Sequence, residues 1–182
     1  KINLLCANNN IQKLIKQTHI YKPKYIYLKN NSKYKILKDK IYNKIKILNE
    51  HELIFFLQST KSNYSILAVS GYNSLDYLDL ILTNTENLGL VSKEAIVSAG
   101  HIFKKKKYFK KTNIFPLDSE HFSIFEFFQK TLNKKIVSKI ILTASGGPFY
   151  NRKFSSLKDI SFSQAIKHPK WKMGYKNSID SA

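Results

Sequence analysis

Short apolar runs alternate along this chain with stretches in which apolar residues recur every three or four positions. Residues 2–6 form a run of strand type. Ile11, Leu14 and Ile15 then share one face of a helix that Pro23 closes. Tyr25, Ile26, Tyr27 and Leu28 form a run rich in β-formers and predict a second strand. Ser32 opens a lysine-rich helix carrying Tyr34, Ile36 and Leu37, and residues 45–48 predict a third strand. Residues 51–58 read as a helix with Leu53, Ile54 and Leu57 on its apolar face. Residues 65–69 read as the cleanest buried strand, ending at Ser70-Gly71, and the helix after it carries Leu75, Leu78, Leu80 and Ile81. Residues 87–90 are strand-like, Lys93-Glu94 opens the next helix, Ile114-Phe115 gives a short strand, and a helix follows over 122–128. The apolar residues of 136–142 lead into Thr143-Ala144-Ser145-Gly146-Gly147-Pro148.

Strands alternating with amphipathic helices predict an α/β fold with a mostly parallel sheet. In such sheets ligands gather beyond the carboxyl ends of the strands. That rule places residues 8–10, Ser70-Gly71, Ser92-Lys93-Glu94, Asp118-Ser119-Glu120 and Ser145-Gly146-Gly147 on one rim.

Composition narrows the class. The 182 residues suit one domain or one and a fraction, and 43% hydrophobic content is enough for a core. No apolar run approaches the roughly 20 residues of a membrane span. One cysteine excludes an internal disulfide framework and fits a reducing compartment. A net charge of +19 invites a nucleic-acid reading, but Arg152 is the only arginine. Readers of phosphates and base edges lean on arginine's planar fork. Abundant lysine, asparagine, isoleucine and tyrosine together instead suit an AT-rich coding sequence, which leaves runs such as residues 104–107 as solvated faces. The chain opens on Lys1 without a methionine and stops on Ile179, Asp180, Ser181 and Ala182 without a closing turn, so both ends are expected to lie inside a longer chain.

Five stretches carry candidate chemistry, each with a plainer alternative. Asp118 and Glu120 are two of only 12 acidic residues. In an extended segment they project to one side and suit a hard divalent cation; otherwise Asp118 or Ser119 caps the following helix. Residues 8–10 start a helix after a strand, where a phosphate or simple N-capping fits. Lys93 on the rim suits an anionic substrate, or pairs with Glu94 as a surface ion pair. Ser145-Gly146-Gly147-Pro148 is either a phosphate cradle or a tight turn. His168-Pro169-Lys170-Trp171-Lys172-Met173-Gly174 holds the only Trp and the only Met, as an aromatic lid or as a satellite core cluster. There is no Gly-x-Gly-x-x-Gly and no Walker loop.

Together these stretches resemble the 1-deoxy-D-xylulose 5-phosphate reductoisomerase family, NADPH-dependent enzymes of the non-mevalonate isoprenoid pathway. The resemblance rests on Leu90-Val91-Ser92-Lys93-Glu94-Ala95 and on Leu117-Asp118-Ser119-Glu120-His121 with Ile124-Phe125. It continues through Leu142-Thr143-Ala144-Ser145-Gly146-Gly147-Pro148-Phe149, then residues 168–174 and Asp180-Ser181-Ala182, in the family's order and spacing. It spans essentially the whole chain, weaker before Ser65 and strong after Ser92.

The resemblance implies a Rossmann-like NADPH-binding domain over residues 1–116, with its first strand and glycine-rich loop upstream of Lys1. The start of an α+β catalytic domain follows over 117–182. Asp118 and Glu120 match two of three acidic ligands of Mg²⁺ or Mn²⁺, and Ser119 matches a substrate contact between them. Lys93 and Glu120 are the implied catalytic residues. Ser92, Glu94, Asn10 and Met173 fall in the cofactor site, near the ribose (Glu94), the adenosine 2′-phosphate (Asn10) and the nicotinamide (Met173). Ser145 and Ser181 match hydroxyls that bind the substrate phosphate, and His168 and Trp171 belong to the flap over it. The third glutamate and an Asn-Lys pair would lie beyond Ala182.

The implied reaction converts 1-deoxy-D-xylulose 5-phosphate to 2-C-methyl-D-erythritol 4-phosphate. The metal chelates the ketone and hydroxyl oxygens, a carbon–carbon bond breaks and re-forms, and NADPH reduces the resulting aldehyde. A homodimer without nucleic-acid or membrane partners is implied, in a bacterial cytoplasm or a plastid-type organelle. Two positions depart from the pattern. Ser92 replaces the asparagine before the lysine, and Ser74 stands where a glycine is expected. With the lysine load and the missing ends, they motivate the alternative of a decayed, non-catalytic member; a second alternative is a basic nucleic-acid-binding protein.

Overall fold

The computed structural model describes residues 1–41, 44–103, 105, 111–130, 134–143 and 146–182. Two compact units, Lys1–Lys130 and Thr131–Ala182, divide the chain. In the first, strands β1 (Leu4–Ala7), β2 (Tyr25–Leu28) and β3 (Lys46–Leu48) alternate with helices α1 (Ile11–Tyr21), α2 (Tyr34–Lys40) and α3 (Glu50–Ser59). Strands β4 (Ser62–Leu67), β5 (Thr85–Leu90) and β6 (Asn113–Pro116) follow, with α4 (Leu75–Leu82), α5 (Lys93–Phe103) and α6 (Ser119–Lys130). Every pairing is parallel, in two sheets ordered β1-β2-β3 and β4-β5-β6. The α/β class with parallel strands is therefore what the chain adopts, as two three-stranded sheets.

Each sheet buries its own cluster. Leu14, Ile26, Leu28, Leu37 and Ile41 fill the first; Leu67, Leu78, Leu82, Leu88, Leu90, Ala95 and Ala99 fill the second. Truncating a fully buried residue such as Leu88 to alanine costs about 2–5 kcal/mol. Helix α3 ties the sheets together: Asn84 Nδ2 donates to its Leu57 and Gln58 carbonyls at 2.9 and 2.8 Å, and Phe56 stacks at a tilt on Tyr25 of β2. Its start is fixed by a capping box between Asn49 and Glu52.

Three local expectations are corrected. The strand expected at 65–69 instead spans Ser62–Leu67, and it is not fully buried: Tyr64 and Ile66 are 78% and 70% exposed. It is the end strand of its sheet, and these two side chains share a face that the Leu88–Leu90 core does not cover. The helix expected from Ser32 begins as a 3-10 turn, Asn31–Lys33, because the Asn30 side chain caps Ser32 N, and the α-helix starts only at Tyr34. The run 136–142, expected to lead from a strand end into the Ser145 loop, forms no strand: Ile136 closes a 3-10 turn, the rest is irregular, and Ile140, Ile141 and Leu142 are exposed.

The second unit is built from short elements. A 3-10 turn spans Phe154–Leu157; α7 (Phe162–Ala165) starts from a Ser161 capping box; α8 (Tyr175–Asp180) follows the tryptophan loop. Phe162 and Tyr175 meet edge to face at 5.8 Å. Among the described residues no helix is long and apolar enough to cross a membrane.

Candidate active site

The carboxyl ends of β4, β5 and β6 lie side by side because their register pairs Leu67 with Leu90 and Leu90 with Pro116. Leu117 N continues the ladder, donating to Leu90 O at 2.8 Å. The Leu117 side chain folds over β5 at Gly89, where a β-carbon would stand 2.6 Å from its Cδ1. The turn that follows therefore falls beside the start of α5. Lys93 Nζ donates to Glu120 Oε1 at 3.0 Å across 27 residues of sequence. That bond holds the Glu120 carboxyl below the usual carboxylate range, against an opposing push from the negative charge of Asp118.

Asp118 and Glu120 do not sit in an extended segment, because α6 already begins at Ser119. Asp118 caps that helix: Oδ1 accepts from His121 N at 3.0 Å, and His121 Nδ1 lies 2.9 Å from both carboxylate oxygens. The helix-capping alternative describes the backbone here, and the two carboxylates remain close enough to act on each other's charge. Ser119 is exposed in the first turn, its carbonyl accepting from Ser123 Oγ. One loop earlier, Ser92 Oγ lies 2.7 Å from Glu94 Oε2 and 3.1 Å from Gly71 O, joining the ends of β4 and β5. At the end of β1, Asn10 caps α1, its Oδ1 accepting from Lys13 N at 3.0 Å, and Lys33 Nζ donates to Asn9 O.

In the second unit His168 and Trp171 stack, ring centroids 5.0 Å apart and planes within 13°. His168 Nδ1 accepts from the backbone N–H of Lys170 and of Trp171, at 3.2 and 3.0 Å, which fixes the turn. Met173 is half-buried. Gly146 takes a positive φ of 63°, and Gly147 is buried against the backbone of Ser181 and Ala182. Ser181 Oγ donates to Asn177 O at 2.9 Å. Ser145 lies outside the described residues.

The donor set at α6 fits a hard cation in kind, since Asp118 and Glu120 offer carboxylate oxygens. In charge the Lys93 ammonium competes: it is bonded to Glu120 Oε1, so a cation bound there would share that carboxylate with it or displace it. In number it supplies two side chains; among the described residues no group of three or more His, Cys, Asp or Glu could hold a metal. Two contacts were not foreseen from the sequence. Gly71 was placed on the rim, but not its carbonyl as acceptor for Ser74 and Ser92; it lies four residues past the end of β4 with φ of 69°. The pairing of His121 with Asp118 was available as an i, i+3 spacing across a helix start.

The family model for 1-deoxy-D-xylulose 5-phosphate reductoisomerase matches residues 1–100, and the model for that family's C-terminal domain matches residues 114–182. The chain belongs to the 1-deoxy-D-xylulose 5-phosphate reductoisomerase family. Curated reductoisomerases from Pelagibacter ubique and Wigglesworthia glossinidia brevipalpis are 37% and 38% identical to it, over 100% and 99% of this chain and 47% and 49% of theirs. A crystal structure of the reductoisomerase in complex with NADPH, fosmidomycin and magnesium superposes with a TM-score of 0.76 at 28% identity, covering 100% of this chain and 47% of that one. The Zymomonas mobilis enzyme in complex with NADPH gives 0.79 at 27%, covering 99% and 46%. The chain spans about half the length of the curated relatives it matches.

Proposed function

We propose that this chain forms part of an NADPH- and divalent-metal-dependent enzyme that converts 1-deoxy-D-xylulose 5-phosphate to 2-C-methyl-D-erythritol 4-phosphate. The observation that carries the reading is the Lys93–Glu120 contact, which joins two family motifs from neighbouring strand ends at one point on the ligand rim. The relatives' names and the NADPH and magnesium of the matched structures support it. When bound, the metal supplies Lewis-acid polarisation of the substrate's ketone, and NADPH supplies the hydride.

The chain's own residues would bind and orient. Residues 1–116 form the cofactor-binding part, with Asn10 toward the 2′-phosphate, Glu94 toward the ribose and Ser92 beside it in the cofactor site, and Met173 toward the nicotinamide. Residues 117–182 begin the catalytic part. Asp118 and Glu120 would hold the Mg²⁺ or Mn²⁺, and Lys93 steadies negative charge on the reacting oxygens. Ser119 contacts the substrate, Ser145 and Ser181 its phosphate, and the stacked His168 and Trp171 would cover it and exclude water. The bacterial relatives favour a bacterial cytoplasm over a plastid-type organelle. The decayed-member and nucleic-acid alternatives gain no support, since the relatives and structures named above are all reductoisomerases.

In the complete protein, Asp118→Asn and Glu120→Gln are each expected to lower turnover about a hundredfold or more and to weaken Mn²⁺ binding about tenfold or more. Turnover is followed by loss of NADPH absorbance and Mn²⁺ binding by calorimetry. Unchanged metal affinity in both variants would refute the ligand assignment.

A further inference from the structure

Ser74 and Ser92, the two positions at which the resemblance described above breaks, touch each other. Ser74 ends the 3-10 turn Gly71–Ser74 that follows β4, and Ser92 sits in the loop after β5, 18 residues on. Both are buried, at 0% and 5% exposure, and their hydroxyl oxygens are 3.4 Å apart. Ser74 Oγ lies 2.7 Å from Gly71 O; Ser92 Oγ lies 2.7 Å from Glu94 Oε2 and 3.1 Å from the same Gly71 O.

Each hydroxyl has a single proton, so the two short bonds define the arrangement. Ser92 donates to the carboxylate, the stronger acceptor. Ser74 donates to Gly71 O, and the longer contacts are the alternatives to which either proton can turn. The Gly71 carbonyl reaches both hydroxyls because that residue holds a φ of 69°, which favours glycine. The result is a short polar chain from the end of β4 to Glu94 in the first turn of α5.

Side-chain size points the same way. A glycine at 74 would strip away the β-carbon and hydroxyl beside Ser92. An asparagine at 92 would push extra heavy atoms into the space that Ser74 now fills. Each departure suits the other, and either alone leaves a void or a clash.

We propose that Ser74 and Ser92 are a coupled pair of positioning residues that hold the Glu94 carboxylate at the head of α5, in place of the glycine and asparagine that the resemblance implies there. The role of Glu94 toward NADPH rests on the function proposed above; the coupling of the two serines does not. The site is thus repacked rather than eroded, which bears directly on the decayed-member alternative.

The test is a double-mutant cycle in the complete protein with Ser74→Gly, Ser92→Asn and the two combined, read by thermal unfolding and by NADPH titration. Ser92→Asn alone is expected to lower Tm and to weaken NADPH binding about tenfold, and adding Ser74→Gly to restore affinity to within about threefold of the unaltered protein. If the effects of the single changes simply add in both readouts, the positions are independent and the proposal falls. If Ser92→Asn is insoluble, recovery of soluble protein on adding Ser74→Gly supports the pair, and insolubility of the double variant overturns it. If the unaltered protein binds no NADPH, the proposed function fails while the thermal cycle still decides the pairing.

Discussion

Gly147 and Ser181 meet backbone to backbone: a β-carbon on the glycine would collide with the serine's carbonyl oxygen and with the Cα of Ala182. Neither neighbour is a flexible side-chain end, so the chain itself must move to admit one. Gly147→Ala is therefore expected to displace the segment carrying Ser181 and, in the complete protein, to raise the KM for the sugar phosphate about tenfold. NADPH affinity should stay near its original value. Steady-state kinetics with separately titrated cofactor and substrate check this.

Asp118 has two separable duties, and substitution can part them. Its side chain caps α6 through His121 N. Asparagine caps as well as aspartate does, whereas alanine costs about 1 kcal/mol. Asp118→Asn is expected to unfold at nearly the original temperature and Asp118→Ala several degrees lower, while both lose metal affinity. Calorimetric scans of the two variants against Mn²⁺ titrations separate stability from binding.

The Lys93–Glu120 pair has a definite pH signature. The Glu120 carboxyl is depressed, first by the bond from Lys93, so its contribution is present above the ordinary carboxylate pKa. It fades as pH falls from that value through the lower folded one. Both side chains are well exposed, so the stabilisation is under about 1 kcal/mol and screened by salt. Carbon-detected NMR titration should place Glu120 below the ordinary glutamate value, and Lys93→Ala should raise it.

Trp171 is the only tryptophan, and it lies parallel on His168. His168→Ala removes the stacking partner and the acceptor of two backbone N–H groups at once. The intrinsic fluorescence of the protein is expected to change in intensity and toward that of a free indole. The sugar-phosphate KM should rise several-fold, by about 1 kcal/mol of lost pre-organisation. Fluorescence and kinetics on one sample check both.

How far the sequence led depends on what held each element. Strand β2 spans the four residues expected of it because all are apolar or aromatic and Pro23 bounds them. Strand β4 was misplaced because its first half is held by polar bonds that hydrophobic patterning does not register. Ser62 Oγ bonds to Thr85 Oγ1, Asn63 Nδ2 to Glu86 Oε2, and Asn87 Nδ2 to Asn63 O. At the site, the carboxylates of Asp118 and Glu120 stood out in an acid-poor chain. Their helical setting did not, since a cap and a strand-end turn share the same residues. The partner of Glu120 lies 27 residues away, and only parallel pairing of β5 with β6 brings it near.

Strand β4, with Tyr64 and Ile66 turned outward at the end of its sheet, has a practical consequence at the bench. Among the described residues only β5 pairs with β4, so at high concentration the outer edge of β4, flanked by these two apolar side chains, offers a ladder onto which another molecule can zip. Yield after refolding should improve on dilution, and a charged residue introduced at Ile66 should act as a solubility tag built into the sheet.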